Sequence, residues 1–239
     1  MVQYQSTRGH KERLAFEDAI LSGLAPDKGL YLPDSLTVDN LNHLTEEDLS
    51  YEEFVKTIFI ALDKNSAKYV DDLSLYSGFE SSPEPVLKDL NDTTVVMELF
   101  HGPTKSFKDY ALQPLGAIAD KRLSELGERG LVLVATSGDT GSAAIQAVKD
   151  SENIDIIVLH PANKISEYQR KQMTSVIKDN VLNIAVEGSY DDCQRIAKEI
   201  LSDNPFERRI ISLNSINWLR VMGQAVSYTH LTLPTSPHV

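Results

Sequence analysis

Residues 101–113 read His-Gly-Pro-Thr-Lys-Ser-Phe-Lys-Asp-Tyr-Ala-Leu-Gln and place Lys108 at the opening of a helix, just after a Gly-Pro turn. Thr136-Ser-Gly-Asp-Thr-Gly141 follows about one βα unit later. A lysine amine held by a turn can attack an aldehyde and form an imine. A loop of small residues that opens a helix offers backbone N–H groups and the positive end of the helix dipole to an anion. The pair suits pyridoxal phosphate (PLP) chemistry on a substrate that carries a carboxylate.

Each residue also has a plainer reading. A lone lysine is ordinarily a solvated surface group. Catalysis requires a site that desolvates the ammonium or sets it beside another cation. Phe107 and Tyr110 give Lys108 apolar neighbours, whereas Lys105 lies before the helix turn and reads as solvated. Gly138 and Gly141 let backbone approach a ligand, and Ser137 and Thr140 supply hydroxyls. Asp139 or Thr140 reads equally as a helix N-cap, and a cap and an anion seat are compatible. The spacing excludes both a P-loop and a G-x-G-x-x-G fingerprint. His101 is either an acid–base group or a hydrogen-bonded structural histidine. Arg8 either reaches a substrate phosphate or is solvated. Asn214-Ser-Ile-Asn217 sits at a strand end that leads into a helix, a position that lines ligand crevices in open α/β sheets.

Composition bounds the function classes. The formal net charge of -12 argues against nucleic acid and against an anionic membrane surface. No apolar run approaches membrane-spanning length, and the N-terminus shows no secretory pattern, so a cytoplasmic location is expected. The single cysteine, Cys193, forms no intrachain disulfide and suggests no metal site; it reads as a half-buried helix residue.

The elements that position the lysine and the loop follow a regular pattern. Residues 1–82 read as one unit, with a helix around Phe16–Gly23 and a capping box, Ser50-Tyr-Glu-Glu53, before a second helix. Ser81-Ser-Pro-Glu-Pro85 reads as a boundary. Strands are expected at 94–99, 131–135, 154–159, 182–186 and 210–213, with helices from about 108, 142, 165, 190 and 216. Short βα connections predict a three-layer α/β domain with a right-handed parallel sheet. Pro114 falls inside the Lys108 helix and predicts a kink. Residues 227–239 carry no charged side chain and two prolines, and they predict the end of the last helical stripe.

Six segments together resemble threonine synthase: Tyr4-Gln-Ser-Thr-Arg-Gly9, Ala25-Pro-Asp-Lys-Gly-Leu-Tyr-Leu-Pro33, His101-Gly-Pro-Thr104, Ser106-Phe-Lys-Asp109, Thr136–Gly141 and Asn214-Ser-Ile-Asn-Trp218. They run in the family's order and span residues 2–226. The resemblance implies a fold-type-II PLP enzyme, with a smaller, mainly helical N-terminal domain over 1–82 and the start of the catalytic domain over 83–226. It implies that Lys108 attaches the cofactor and that Asp139 approaches the pyridine hydroxyl. By the same resemblance Thr136, Ser137, Gly138, Thr140, Gly141, Asn214 and Asn217 bind the substrate. The implied reaction turns O-phospho-L-homoserine and water into L-threonine and phosphate. A phospho-lyase releasing 2-oxobutyrate is the alternative in this fold, and a non-catalytic anion-binding fragment is the alternative outside it. The family's phosphate-anchoring loop lies further along the chain, so residues 1–239 alone are expected to be catalytically incompetent. Residues 227–239 do not resemble the family's continuation and are expected to be artefactual.

Overall fold

The computed structural model describes residues 2–35, 49–71, 74–213 and 216–232. The N-terminal unit holds three short strands, Tyr4–Ser6 (β1), Arg13–Leu14 (β2) and Tyr31–Pro33 (β3), paired antiparallel in the order β2-β1-β3. Helices Phe16–Ser22 (α1), Tyr51–Leu62 (α2) and Ala67–Val70 (α3) accompany them. The expected capping box opens α2: Ser50 Oγ accepts from the Glu53 N–H, and the Glu53 carboxylate accepts from the Ser50 N–H. The small sheet was not legible, because runs of two or three residues carry no period.

A hairpin follows, Val86–Asn91 (β4) with Thr94–Glu98 (β5), antiparallel and largely exposed. The sequence predicts only the second of these strands. Next comes the α/β layer: Asp109–Leu126 (α4), Gly130–Ala135 (β6), Asp139–Val148 (α5), Ile154–Pro161 (β7), Glu167–Thr174 (α6), Val181–Val186 (β8), Tyr190–Asp203 (α7), Arg209–Ile211 (β9) and Trp218–Thr232 (α8). The four strands are all parallel, in the order β8-β7-β6-β9. The chain moves outward from β6 to β7 and β8, then returns to the other side of β6. The reversal between β6 and β9 is a topological switch point, where open α/β sheets bind ligands beyond their strands' carboxyl ends.

The central strands β6 and β7 are covered on both faces, as their apolar sequences require, while Leu182 and Ile184 of the edge strand β8 are exposed. On one face Leu133 and Leu159 pack with Cys193 and Ala197 of α7. Cys193 is fully buried, a correction to its half-buried reading, and burial pushes its thiol pKa up. On the other face Val132, Val134, Ile156 and Val158 join α4, α5 and α8 in one large cluster. That cluster runs on without a break into Tyr4, Phe16, Tyr51 and Phe59 of the N-terminal unit. The boundary read near residue 82 is therefore not a gap in the core.

Helix α4 runs through Pro114 to Leu126. One further expectation is corrected. Helix α8 does not stop at Ala225 or Val226 but continues to Thr232, and Ser227 is fully buried with its hydroxyl 3.1 Å from the Tyr51 hydroxyl. Residues 233–239 lie outside the described residues. Among those described, no helix is long and apolar enough to cross a membrane.

Candidate functional site

Lys108 is the N-cap residue of α4, in helical geometry, and its N–H lies 3.3 Å from the Ser106 hydroxyl oxygen. The turn before it is tightly built. Asp109 is fully buried and accepts from the Thr104 N–H and hydroxyl, both at 2.8 Å. Gly102 passes so close to Asp109 that an added Cβ would meet its carboxylate at 2.5 Å. Burial raises the Asp109 pKa, and the Thr104 bonds oppose that shift. Asp109 thus fixes the backbone that aims its neighbour, Lys108. Lys105 stands on an exposed left-handed turn at φ 59°. That setting supports the distinction drawn between the two lysines.

The loop after β6 is built around Thr136. Its buried hydroxyl oxygen accepts from the N–H groups of Gly138 at 2.9 Å and Gly141 at 3.1 Å. Two of the loop's amides are therefore used internally, and Thr136 acts as the loop's staple. Gly138 has φ 148° and faces the side chain of Gln169 at 2.3 Å from an ideal Cβ. The next amides, those of Asp139 and Thr140, belong to the first turn of α5, where helical N–H groups have no partner within the helix. Ser137 is exposed beside them.

The two segments meet. Lys108 Nζ lies 3.7 Å from Asp139 Oδ2 and 4.4 Å from the centre of the Phe107 ring. The lysine side chain is 21% exposed, the aspartate 47%. An amine, a carboxylate and a helix N-terminus therefore converge at the carboxyl end of β6, at the switch point. Helix α6 closes over them. Gln169 Nε2 donates to Asp139 Oδ1 at 2.6 Å, and Gln172 Nε2 donates to the Thr104 carbonyl at 2.7 Å. Neither glutamine was singled out from the sequence. Ser166-Glu-Tyr-Gln169 is legible as a capping box, and one is present, but no local signal reveals its second partner.

Other expected residues fall elsewhere. Asn217 is fully buried; its Nδ2 donates to the carbonyls of Ile20 and Ser212, and its Oδ1 accepts from the Leu219 N–H. It ties α1 to the end of β9 and caps α8, so each polar atom of its side chain already has a backbone partner. Asn214 lies outside the described residues. His101 pairs with Glu98 at 2.9 Å, and Glu98 also pairs with Lys88, so the histidine belongs to an ion cluster at the hairpin's base. Arg8 is exposed, 3.5 Å from the Asp27 carbonyl. Among the described residues no group of His, Cys, Asp and Glu forms a metal cluster.

Residues 3–69 match the family model described as threonine synthase N terminus. Threonine synthase of Pseudomonas aeruginosa is 43% identical over 247 aligned residues, covering 99% of this chain and 52% of the relative. The solved PLP-bound threonine synthase of Brucella melitensis superposes with a TM-score of 0.88 at 36% identity, over 99% of this chain and 53% of its own. Over nearly its whole length the chain is similar to about half of a threonine synthase. Yeast threonine synthase gives a TM-score of 0.87 at 32% identity. Threonine synthase-like 2 of Mus musculus is 40% identical over 92% of this chain and 47% of its own length. The chain spans about half the length of the curated relatives it matches. Its parallel sheet, with helices on both faces, is the fold-type-II arrangement of the threonine synthase family.

Proposed function

We propose that this chain carries the lysine and the carboxylate loop of a PLP-dependent threonine synthase, a carbon–oxygen lyase acting on O-phospho-L-homoserine in the cytoplasm. The observation that carries the reading is the Lys108–Asp139 pair, 3.7 Å apart at the mouth of α5. The residues present fit PLP at its aldehyde and ring-hydroxyl edge: an amine for the one, a carboxylate acceptor for the other. PLP supplies the aldehyde that captures amines and an electron sink for charge at the α carbon. Lys108 Nζ would hold the cofactor at its aldehyde and, as a free amine, would carry protons at the substrate's α and β carbons. Asp139 would accept from the ring hydroxyl and so orient the ring. The first-turn amides of Asp139 and Thr140, with the Ser137 hydroxyl, bind the substrate carboxylate. Thr136, Gly138 and Gly141 shape the loop that presents them. Loss of phosphate from the γ carbon and addition of water at the β carbon give L-threonine.

Enzyme carrying these residues, supplied with PLP and O-phospho-L-homoserine, is expected to release phosphate and L-threonine in equal amounts. Phosphate with 2-oxobutyrate would assign the phospho-lyase reaction instead. Absence of both products, in protein that binds no PLP, would favour a non-catalytic anion-binding module.

A further inference from the structure

Helix α6 touches both halves of the site. Its Gln172 amide holds the Thr104 carbonyl, in the turn that fixes Lys108 through Asp109. Its Gln169 amide holds Asp139 Oδ1, while the other oxygen of that carboxylate, Oδ2, is the one 3.7 Å from Lys108. The helix itself is well seated. Met173 is fully buried, and its sulfur is 2.7 Å from where a Cβ on Gly141 would stand. Asn183 Nδ2 donates to the Met173 carbonyl at 3.1 Å. Gly138 completes the arrangement: its missing side chain leaves the space that the Gln169 carboxamide fills.

We propose that Gln169 is a positioning residue, which fixes the Asp139 carboxylate so that one chosen oxygen faces Lys108. Asp139 is about half exposed and has a short side chain with two free torsions. Water and solvent cations compete for such a carboxylate, and a weak ion pair at 3.7 Å does not by itself hold it in one rotamer. A hydrogen bond to a charged acceptor does, because it is stronger and more directional than a neutral one. The donor comes from a helix anchored at Met173, so the constraint is passed from the core to the site. The inference rests on the proposed reading only in taking Lys108 as the reactive amine.

A carbodiimide test reads the geometry without cofactor. The reagent joins an amine to a carboxylate only where they touch, and peptide mapping gives the yield of the Lys108–Asp139 link. The Lys68–Glu125 pair, at 2.9 Å and far from α6 in sequence, is the internal reference. Gln169→Met keeps the bulk over Gly138 but removes the donor. It is expected to lower the 108–139 link about five-fold, the scale of one lost hydrogen bond, and to leave the reference unchanged. Glu167→Ala removes an exposed ion pair of the same helix, Lys171–Glu167 at 2.8 Å, leaves the Gln169 side chain untouched, and is expected to leave both links intact. If Gln169→Met fails to fold, Gln169→Asn, one methylene too short to reach Asp139, gives the same reading. An unchanged 108–139 yield would overturn the proposal. So would an equal fall in Glu167→Ala or in the reference pair, since either would reduce Gln169 to a general structural role. Failure of PLP to attach to Lys108 would refute the functional reading and leave this geometric result standing.

Discussion

The Tyr76 hydroxyl donates a 2.9 Å hydrogen bond to the Tyr110 carbonyl, the acceptor that Pro114 cannot serve. In an uninterrupted helix that carbonyl takes the N–H four residues on. Proline has none. The N-terminal unit supplies the missing donor, two residues past Lys108, within an aromatic cluster of Tyr51, Tyr76, Phe79 and Tyr110. Helix α4 therefore passes through the proline with its buried, otherwise unserved carbonyl answered from outside.

Tyr76→Phe leaves that carbonyl buried and unpaired. It is expected to destabilise the fold by about 1–3 kcal/mol, read as a shift in the urea midpoint. Pro114→Ala restores an N–H inside the helix. The double variant is expected to lose less than Tyr76→Phe alone, and a full additive loss would show that the two residues do not share this acceptor.

Gly138→Ala tests the close approach of the carboxylate loop. At φ 148° a side chain is strained, and a Cβ would stand 2.3 Å from Gln169. The substitution is expected to raise KM for O-phospho-L-homoserine at least about ten-fold, on the scale of a displaced backbone donor set, while PLP loading is largely retained. Loss of PLP from folded protein would instead assign this loop to the cofactor.

The ion cluster at the base of the hairpin predicts an acid dependence. The Lys88 ammonium, and then His101, hold the Glu98 carboxyl below the usual carboxylate range. A depressed folded-state pKa gives stability that is complete above the unfolded value of about 4.3 and is lost as pH falls through the folded value. The parent's unfolding midpoint is therefore expected to drop more between pH 6 and pH 3 than that of Glu98→Gln. Equal drops would mean that Glu98 is not coupled to its partners in solution.

The parallel strands were legible because each is an apolar run bounded by turn residues, and the α2 cap because its motif is local. The Lys108 turn and the loop at 136–141 were legible for the same reason: both signals lie within a few residues. What the sequence did not show depends on distant partners. Pro114 is visible in the sequence, but the Tyr76 hydroxyl that serves the carbonyl it leaves free is not. The sequence places Asn217 at a strand end but does not show that the carbonyls of Ile20 and Ser212 accept from its amide. Residues 227–232 lack charged side chains but still extend α8, because Ser227 is buried against Tyr51 of α2. Gln169 reads as a cap; its contact with Asp139, thirty residues away, exists only in three dimensions.

Borohydride reduction of a complete PLP-loaded enzyme that carries these residues, followed by peptide mapping, tests the central claim most directly. The phosphopyridoxyl group is expected on Lys108, the amine held by the Asp109 turn against Asp139. A label on Lys105, or label scattered over surface lysines, would contradict it.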